Sequence, residues 1–377
     1  MSYLLDARAL QSESSKRGIG TYVRGLLTGM RELDMDQHFQ LLLRRDAPPP
    51  PELRQLKAKI APTKLFGMKR RIQPVVDPFY IAWTLRSLKP TLYHSPDYAQ
   101  PIVASCPVVI TVHDLIPFVF PDMYPWLRRE RLLALQLLRN ADALIADSEA
   151  TAHDLVRLAH VRGERVHVVP LAVDANREPI SEDEIERVRS KYSLPRPFLL
   201  AVGAFDPRKR IDHVAEITAR VRARHDVDLV VVGQQGKFTG TVANAINNAG
   251  LAGHAHQLGF VPSKDLAALY ASCACLLFTS AYEGFGLPPL EAMAAGAPVA
   301  MYNNSSLREI AGDAAMVARD GVSSELSAQI VELLGNADQR QHRVERGQHW
   351  ARRFSWSATA EGTLAVYEHV LGNRSKW

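Results

Sequence analysis

A chain of 377 residues exceeds the length at which one hydrophobic core usually keeps growing, so two domains are expected. Hydrophobic residues make up 47% of the chain, enough to fill both cores, yet no apolar run of about twenty residues could span a bilayer. The formal charge of +5 is modest, and no interleaving of basic and aromatic residues suggests a nucleic-acid partner. No secretory signal pattern opens the sequence, which favours a cytoplasmic protein.

Short apolar runs alternate with longer amphipathic ones, a pattern typical of βαβ units with parallel sheets. In the first half, strands are predicted at residues 3–6, 39–43, 92–94, 108–112, 143–146 and 166–169. A second set is predicted at residues 198–202, 229–232, 256–258, 275–279, 298–301 and 314–317. The Pro-rich and acidic segment between the two sets, in which Ser181 and Glu184 form a capping-box pattern, predicts a connection with one short helix. The expected domains are therefore residues 1–174 and 195–353.

The positive charge is concentrated in the first domain. Residues 1–174 contain 23 Lys and Arg against 18 Asp and Glu, whereas the remainder is balanced. Basic clusters occur at Arg44–Arg45, Lys69–Arg71 and around Arg128, Arg129 and Arg131, near apolar residues. Two interpretations remain open. The clusters suit weak binding to anionic lipid at the inner face of a membrane, or they form a solvated basic surface.

Ligands of parallel sheets bind beyond the carboxyl ends of the strands, where His113, Gly203, Gly233 and Glu283 stand in this sequence. Arg208 and Lys209 follow the Gly203 turn and place two cations at that edge, suited to an anionic ligand. No Asp-x-Asp pair follows a strand to ligate a metal, since Asp226 and Asp228 precede one. Metal-independent chemistry is therefore expected.

The stretch from Ser280 to Gly296 carries two glutamates, Glu283 and Glu291, around a turn that opens a helix. Pro288 suits the first helical turn, and the N–H groups at a helix start favour an anion. Glycines at 284 and 286 allow a pyrophosphate to approach the backbone. Glu291 is placed to accept hydrogen bonds from ribose hydroxyls, whereas Glu283 is expected to face the sugar.

This stretch resembles the E-x7-E signature of the retaining glycosyltransferases of family 4. Other matching motifs follow in the family's order across almost the whole chain: Gly18-Ile-Gly20, His113-Asp-Leu-Ile-Pro117, Val169-Pro-Leu-Ala-Val-Asp174, Asp206-Pro-Arg-Lys209, Gly259-Phe-Val261 and Asn303-Asn-Ser-Ser-Leu-Arg-Glu309. The resemblance implies an α/β GT-B fold, with two Rossmann-like domains whose parallel sheets face an interdomain cleft. It also implies that a C-terminal helix, at about residues 356–377, crosses back to the N-terminal, acceptor-side domain.

The resemblance, together with the strand-end argument, assigns a donor site. The residues expected to contact the nucleotide sugar are Gly18, Gly20, Gly203, Arg208, Lys209, Phe260, Val261, Glu283, Gly284, Phe285, Gly286, Leu287 and Glu291. Four residues are expected to be catalytic: His113, Glu283, Arg208 and Lys209. Many family members carry Arg where this chain has Ala204, so Arg208 is expected to supply that charge. A neutral His113 ring bonding a sugar hydroxyl, or the His113 backbone carbonyl, is expected beside the transferred sugar.

The resulting hypothesis is a retaining hexosyltransferase that needs no cofactor besides its nucleotide-sugar co-substrate. The motifs look most like mannosyl and rhamnosyl transferases of bacterial surface polysaccharides, which favours a guanosine-diphosphate sugar and a lipid-linked or oligosaccharide acceptor. Three alternatives remain open: a uridine-diphosphate sugar with a soluble acceptor, a nucleotide-sugar epimerase of the same fold, and a non-enzymatic carbohydrate-binding protein.

Overall fold

The computed structural model describes residues 2–16, 18–63, 73–98, 100–124, 135–174, 178–194, 197–203, 206–233 and 239–374. The chain divides into two compact units. Unit 1 comprises Met1–Ala172 together with Ser355–Trp377, and unit 2 comprises Val173–Phe354. The basic residues at 69–71 and at 128, 129 and 131 lie outside the described residues.

Within its described residues, unit 1 contains a parallel sheet of seven strands in the order β3-β2-β1-β4-β5-β6-β7. The strands are β1 (Tyr3–Asp6), β2 (Phe39–Arg44), β3 (Lys59–Thr63), β4 (Leu92–Ser95), β5 (Val108–Val112), β6 (Ala143–Ala146) and β7 (Val166–Val168). All six strands predicted for this half are present. The sequence did not predict β3, which lies at the sheet edge and contains Pro62, a residue that sheets accept at their edges but that interrupts an apolar strand pattern.

The helices of unit 1 that follow these strands include α1 (Gly18–Glu32), α2 (Gln73–Leu88), α3 (Ile116–Val119) and α4 (Glu149–Ala159). Helix α1 is amphipathic and buries Tyr22, Leu26 and Met30 along one face. Helix α4 begins where Ser148 Oγ accepts a hydrogen bond from the Thr151 N–H at 3.1 Å.

The sheet of unit 2 has the strand order β10-β9-β8-β11-β12-β13, again fully parallel among the residues that the structure describes. Its strands are β8 (Phe198–Val202), β9 (Asp228–Val232), β10 (Ala255–Gly259), β11 (Cys275–Phe278), β12 (Val299–Asn303) and β13 (Met316–Arg319). All six were predicted. This is the Rossmann order, in which the direction of strand succession reverses between β8 and β11, and ligands bind at that switch point.

The helices that the structure describes in unit 2 are α5 (Glu182–Lys191), α6 (Ile211–Arg222), α7 (Thr239–Asn248), α8 (Ser263–Ser272), α9 (Leu287–Ala294), α10 (Leu307–Ala311), α11 (Ser323–Leu334) and α12 (Ala337–Ala351). Helix α5 is the predicted short helix of the connection. Its N-cap Ser181 accepts from the Glu184 N–H at 3.3 Å, while the Glu184 carboxylate pairs with Arg187 rather than closing the predicted box.

Helix α13 (Trp356–Arg374) follows unit 2 in the sequence but packs on α1 of unit 1, as the resemblance implied. The absence of side chains at Gly25 and Gly29 allows this close approach. A Cβ at Gly25 would lie 2.1 Å from the Trp356 ring, and one at Gly29 would lie 2.1 Å from the Trp356 carbonyl oxygen. None of the helices in the described ranges, α13 included, has the length and apolar character needed to cross a membrane.

Candidate active site

The loop after β8 places two cations at the switch point of the unit 2 sheet. Gly203 ends β8 with φ +73°, and its N–H donates to the Val232 carbonyl at 2.6 Å. Asp206 then caps a 3₁₀ turn, Pro207–Lys209, by accepting from the Arg208 N–H at 3.1 Å. The positive φ of Gly203 and the cap together turn the chain so that Arg208 and Lys209 return to the sheet edge.

Glu283, which follows β11 on the other side of the switch point, contacts both cations through one oxygen. The Arg208 Nη1 atom lies 2.8 Å from Glu283 Oε1, and the Lys209 ammonium donates to the same oxygen. The three side chains are only 12–14% exposed. Lys209 Nζ also lies 4.6 Å from the centre of the Phe278 ring, a cation–π distance. The structure thus brings together three of the four predicted catalytic residues.

The electrostatics of this cluster favour its charged state. Burial raises the pKa of Glu283, but Lys209 and Arg208 outweigh burial and hold that pKa at about 2. Burial lowers the pKa of Lys209, opposed by the Glu283 carboxylate. Glu283 is therefore a carboxylate at neutral pH, and its negative charge is shared between Arg208 and Lys209.

Residues of the loop after β12 hold the Glu283 backbone in place. The Glu283 N–H donates to Ser305 Oγ at 2.9 Å, while the Ser306 hydroxyl contacts the carbonyl oxygens of Glu283 and Phe285 at 3.0 and 2.6 Å. Asn304 Nδ2 donates to the Ser280 carbonyl at 2.7 Å. The sequence named this loop only as a family motif. The run of small polar residues directly after a buried strand could have indicated that this loop holds the backbone around Glu283 by hydrogen bonds.

Helix α9 begins as the sequence predicted. Gly286 has φ +120°, and a Cβ there would lie 3.1 Å from the Leu307 side chain. Pro288 occupies the first turn, after Leu287. Gly284 is buried in the preceding turn, and the Phe285 ring is 5% exposed and packs on Phe354. Because the Phe285 ring faces the core of unit 2, only its backbone remains available for the predicted donor contact.

Glu291 lies one turn into α9, where Tyr270 of α8 donates to its Oε2 atom at 3.0 Å. The Tyr270 pKa is raised well above its ordinary value by burial and by the Glu291 carboxylate. The sequence did not indicate Tyr270, because their proximity depends on how α8 packs against α9. The predicted nucleobase segment follows β10, where Phe260 is 59% exposed and Val261 is buried.

The two N-terminal glycines have different surroundings. Gly20 lies in α1, and a Cβ there would come within 2.6 Å of the backbone of Ser14 and Ser15. Packing within unit 1 therefore requires a glycine at this position independently of any nucleotide. Gly18 begins α1, is exposed, and leaves open space where a side chain would stand. Two 3₁₀ turns, Arg8–Gln11 and Glu13–Lys16, precede it.

His113 follows β5 at the carboxyl edge of the unit 1 sheet, as predicted, but its ring is engaged within unit 1. Nδ1 lies 2.7 Å from Asp147 Oδ2, and Nε2 lies 3.0 Å from the Pro96 carbonyl oxygen. Burial lowers the pKa of His113, but Asp147 outweighs burial and raises that pKa to about 9. Both ring nitrogens thus have partners within unit 1, and the raised pKa favours a charged ring over the neutral ring expected to bond a sugar hydroxyl.

Asp147 was missed by the sequence reasoning although a signal existed. It directly follows β6, the neighbour of β5, and Val112 pairs with Ala146 in the parallel register. The next residues on each strand, His113 and Asp147, therefore emerge side by side. No group of three or more His, Cys, Asp or Glu side chains within the described ranges is arranged to hold a metal ion.

Comparisons with known proteins show which family the chain resembles. Residues 16–177 match the family model Glycosyltransferase Family 4, and residues 182–350 match Glycosyl transferases group 1. O-antigen chain mannosyltransferase B of Escherichia coli is 31% identical over 295 residues, 76% of each chain. MMP alpha-(1->4)-mannosyltransferase of Mycolicibacterium hassiacum is 30% identical over 241 residues, 63% of this chain and 56% of the relative.

Among solved structures, Anabaena HepE in complex with UDP and glucose superposes with a TM-score of 0.76 at 19% identity, over 97% of this chain and 98% of that one. Two Rossmann-type units and this likeness show the GT-B fold, and the family models together with the Escherichia coli relative show a glycosyltransferase. The chain belongs to glycosyltransferase family 4.

Proposed function

We propose that the protein is a retaining hexosyltransferase that takes a mannose- or rhamnose-type sugar from a nucleoside diphosphate and adds it to an oligosaccharide or lipid-linked acceptor in bacterial glycan biosynthesis. The observation that carries the proposal is the buried cluster of Arg208, Lys209 and Glu283 at the switch point of unit 2. Both curated relatives described above are named mannosyltransferases, which supports a GDP-sugar as the first donor to test.

In the proposed reaction, the bond between the anomeric carbon and the β-phosphate oxygen breaks while the acceptor oxygen bonds to that carbon on the same face. The acceptor's proton passes to the departing phosphate oxygen, so no protein base is needed. Arg208, Lys209 and the positive end of the α9 dipole stabilise the charge that develops on the diphosphate. Pro288 and Pro289 have no N–H, so among the first three residues of α9 the backbone donor is the Leu287 N–H. Glu283 and the loop braced by Ser305 and Ser306 orient the sugar.

Binding of the diphosphate requires an exchange of partners at the two cations. Arg208 and Lys209 share the single negative charge of Glu283, and Asp206 lies 3.5 Å from Arg208. A diphosphate brings more negative charge to the same groups and frees the Glu283 carboxylate to accept hydrogen bonds from sugar hydroxyls. Glu283 therefore orients the sugar only after the diphosphate has bound.

A thermal-shift screen against GDP, UDP, TDP and ADP tests the donor class. A ligand that binds only the folded state stabilises it by about 2.7 kcal/mol at 100 times its dissociation constant, so the correct base gives the largest rise in melting temperature. GDP is expected to give it. UDP is the second candidate because the superposing HepE structure contains UDP and glucose. No shift with any diphosphate would contradict the proposal.

Incubation with donor alone separates transfer from epimerisation. A transferase releases free diphosphate slowly, by transfer to water, and leaves the remaining donor unchanged. An epimerase converts the donor into an isomer that chromatography resolves. Appearance of the isomer would replace the transferase proposal.

A further inference from the structure

Two histidines of unit 1, the buried His94 and the 16% exposed His113, have opposite kinds of hydrogen-bond partner. The ring of His94, on β4, lies between two hydroxyls, with Nδ1 2.6 Å from the Tyr367 oxygen and Nε2 2.8 Å from Thr111 Oγ1. Because a hydroxyl either donates or accepts, a neutral ring satisfies both partners. Burial, together with the nearby His113, lowers the pKa of His94 to about 3. His94 is therefore neutral at every pH at which the protein would be assayed.

The ring of His113 lies between two oxygens that accept. One belongs to the Asp147 carboxylate at 2.7 Å and the other to the Pro96 carbonyl at 3.0 Å. A neutral imidazole has one N–H and one lone pair, so it would direct the lone pair at one of these oxygens. Only the imidazolium donates to both. The shared proton belongs on the ring because imidazole is ordinarily more basic than a carboxylate.

The Asp147 side chain is placed to pair with the His113 ring. Its side chain is 1% exposed, and its second oxygen, Oδ1, is buried without a hydrogen-bond partner among the described residues. A buried carboxylate is costly unless it is paired, so the interaction with a cation accounts for its presence there.

Other titratable groups surround the His113 ring on several elements. These are Asp97 in the segment after β4, Asp114 next in sequence, His94 on β4, and Tyr22 on α1, whose ring centre lies 4.9 Å away at an interplanar angle of 74°. The two aspartates favour the charged ring, although burial raises the pKa of Asp97. His94 is neutral and Tyr22 presents an aromatic edge or face. None of these groups forms the direct hydrogen bond that Asp147 forms.

We propose that Asp147 is a positioning residue that holds His113 as a fixed, doubly hydrogen-bonded imidazolium at the carboxyl end of β5. The importance of this cation for transfer rests on the proposed function, whereas its charge rests on the geometry of unit 1. A charged His113 has no lone pair with which to remove a proton, and it favours an anionic ligand. Its orientation is locked by Asp147 on one side and by the Pro96 carbonyl on the other.

The charge is tested by NMR titration of the histidine rings in the whole protein, with His113→Gln used to assign the resonance. In the wild type, the His113 ring should titrate near pH 9, while His94 stays neutral. Asp147→Asn should move the His113 midpoint to about 6.5 or below. The new amide lets a neutral ring keep both hydrogen bonds, with Nδ1 accepting from the Asn side chain and Nε2 donating to Pro96. A wild-type midpoint near 6.5, or one unchanged by Asp147→Asn, would overturn the proposal.

The functional consequence is tested by the pH dependence of kcat/KM for release of GDP from GDP-mannose and of UDP from UDP-glucose. Because the charged ring is the competent form, activity is present below the His113 pKa and is lost above it. With a midpoint of about 6.5, Asp147→Asn should lose roughly thirtyfold at about pH 8 and almost nothing at about pH 5.5. A loss of equal size at both pH values would show a merely structural role and would overturn the proposal.

Two further variants complete the design. Asp147→Glu keeps the charge and should restore activity at about pH 8, whereas Asp154→Asn removes another buried carboxylate of unit 1 and should leave the pH profile unchanged. If Asp147→Asn fails to fold, the wild-type titration alone decides. Release of neither diphosphate by the wild type, with the His113 midpoint near 9, would contradict the transferase function but would support the assignment of Asp147.

Discussion

One oxygen of Glu283 contacts both Arg208 and Lys209. This contact determines how a substitution of Glu283 should affect diphosphate binding and turnover. The pKa of Glu283 is held at about 2, so the carboxylate stays ionised at any ordinary pH and competes with an incoming diphosphate for Arg208 and Lys209. Removal of its charge takes this counter-ion from both cations, although Asp206 Oδ2 still lies 3.5 Å from Arg208 Nε. The same residue therefore opposes binding of the free diphosphate and assists transfer of the sugar.

We expect Glu283→Gln to tighten binding of free GDP or UDP by on the order of tenfold while turnover falls. Isothermal titration calorimetry and initial-rate measurements check the two effects. Asp320→Asn is the matched control, because it removes a carboxylate from Arg210, the next cation along the chain. The control should bind diphosphate as the wild type does. Weaker binding by Glu283→Gln would show that the carboxylate does not compete.

Glu291 should behave in the opposite way. If it accepts hydrogen bonds from the ribose, Glu291→Gln removes the charge that strengthens them and costs about 1.5 to 3 kcal/mol of binding free energy. The diphosphate Kd should rise by roughly tenfold to a hundredfold in calorimetry. The melting temperature without ligand is the control, since Gln retains an oxygen for the Tyr270 hydroxyl. Unchanged affinity would reject the ribose assignment.

At the level of elements, the sequence predicted those features that depend on neighbouring residues. The start of α9 followed from Gly286 and Pro288, and twelve strands followed from apolar runs. The sequence did not predict strand β3 because Lys59 and Pro62 interrupt the apolar pattern of this edge strand. Features that depend on distant parts of the chain were harder to predict. The charge of His113 is favoured by the Asp147 carboxylate, which adjacent pairing of β5 and β6 could have indicated, and by the Pro96 carbonyl, which no local pattern indicates.

The packing of α13 on α1 is another long-range feature, and Gly29 tests it. Gly29→Ala would place a Cβ 2.1 Å from the Trp356 carbonyl oxygen and 2.9 Å from Ala360 Cβ, so α13 must shift. We expect the free energy of unfolding to fall by roughly 1 to 3 kcal/mol in urea denaturation. Gly372→Ala on α13 is the control, because a Cβ there meets no atom within 4 Å, and it should be neutral or slightly stabilising. Equal stability of the two variants would contradict this packing.

For the whole molecule, the fixed cations of unit 2 predict transfer without a divalent metal. Arg208, Lys209 and the start of α9 already supply positive charge to a leaving diphosphate. Product formation should therefore be the same in EDTA as in magnesium or manganese. Loss of activity in EDTA with rescue by either metal would reject this mechanism.

The uneven charge of the chain predicts weak membrane attachment. The basic residues at 69–71 and at 128, 129 and 131 should bind anionic vesicles, each contributing up to about 1 kcal/mol. Sedimentation with anionic liposomes should show binding that disappears at about 1 M salt, where the Debye length is roughly 3 Å. Neutral liposomes are the control. Binding that survives replacement of all six residues by Ser would place the contact elsewhere.

The return of α13 to unit 1 also has a consequence for synthesis on the ribosome. Unit 1 is discontinuous, because Val173–Phe354 is translated between β7 and α13. At about 5 to 20 residues per second, roughly ten to forty seconds pass before α13 can emerge and cover α1. During that interval the face of α1 that carries Gly25 and Gly29 is not yet covered by α13. Unit 2 can therefore complete its fold first, although its sequence is read second.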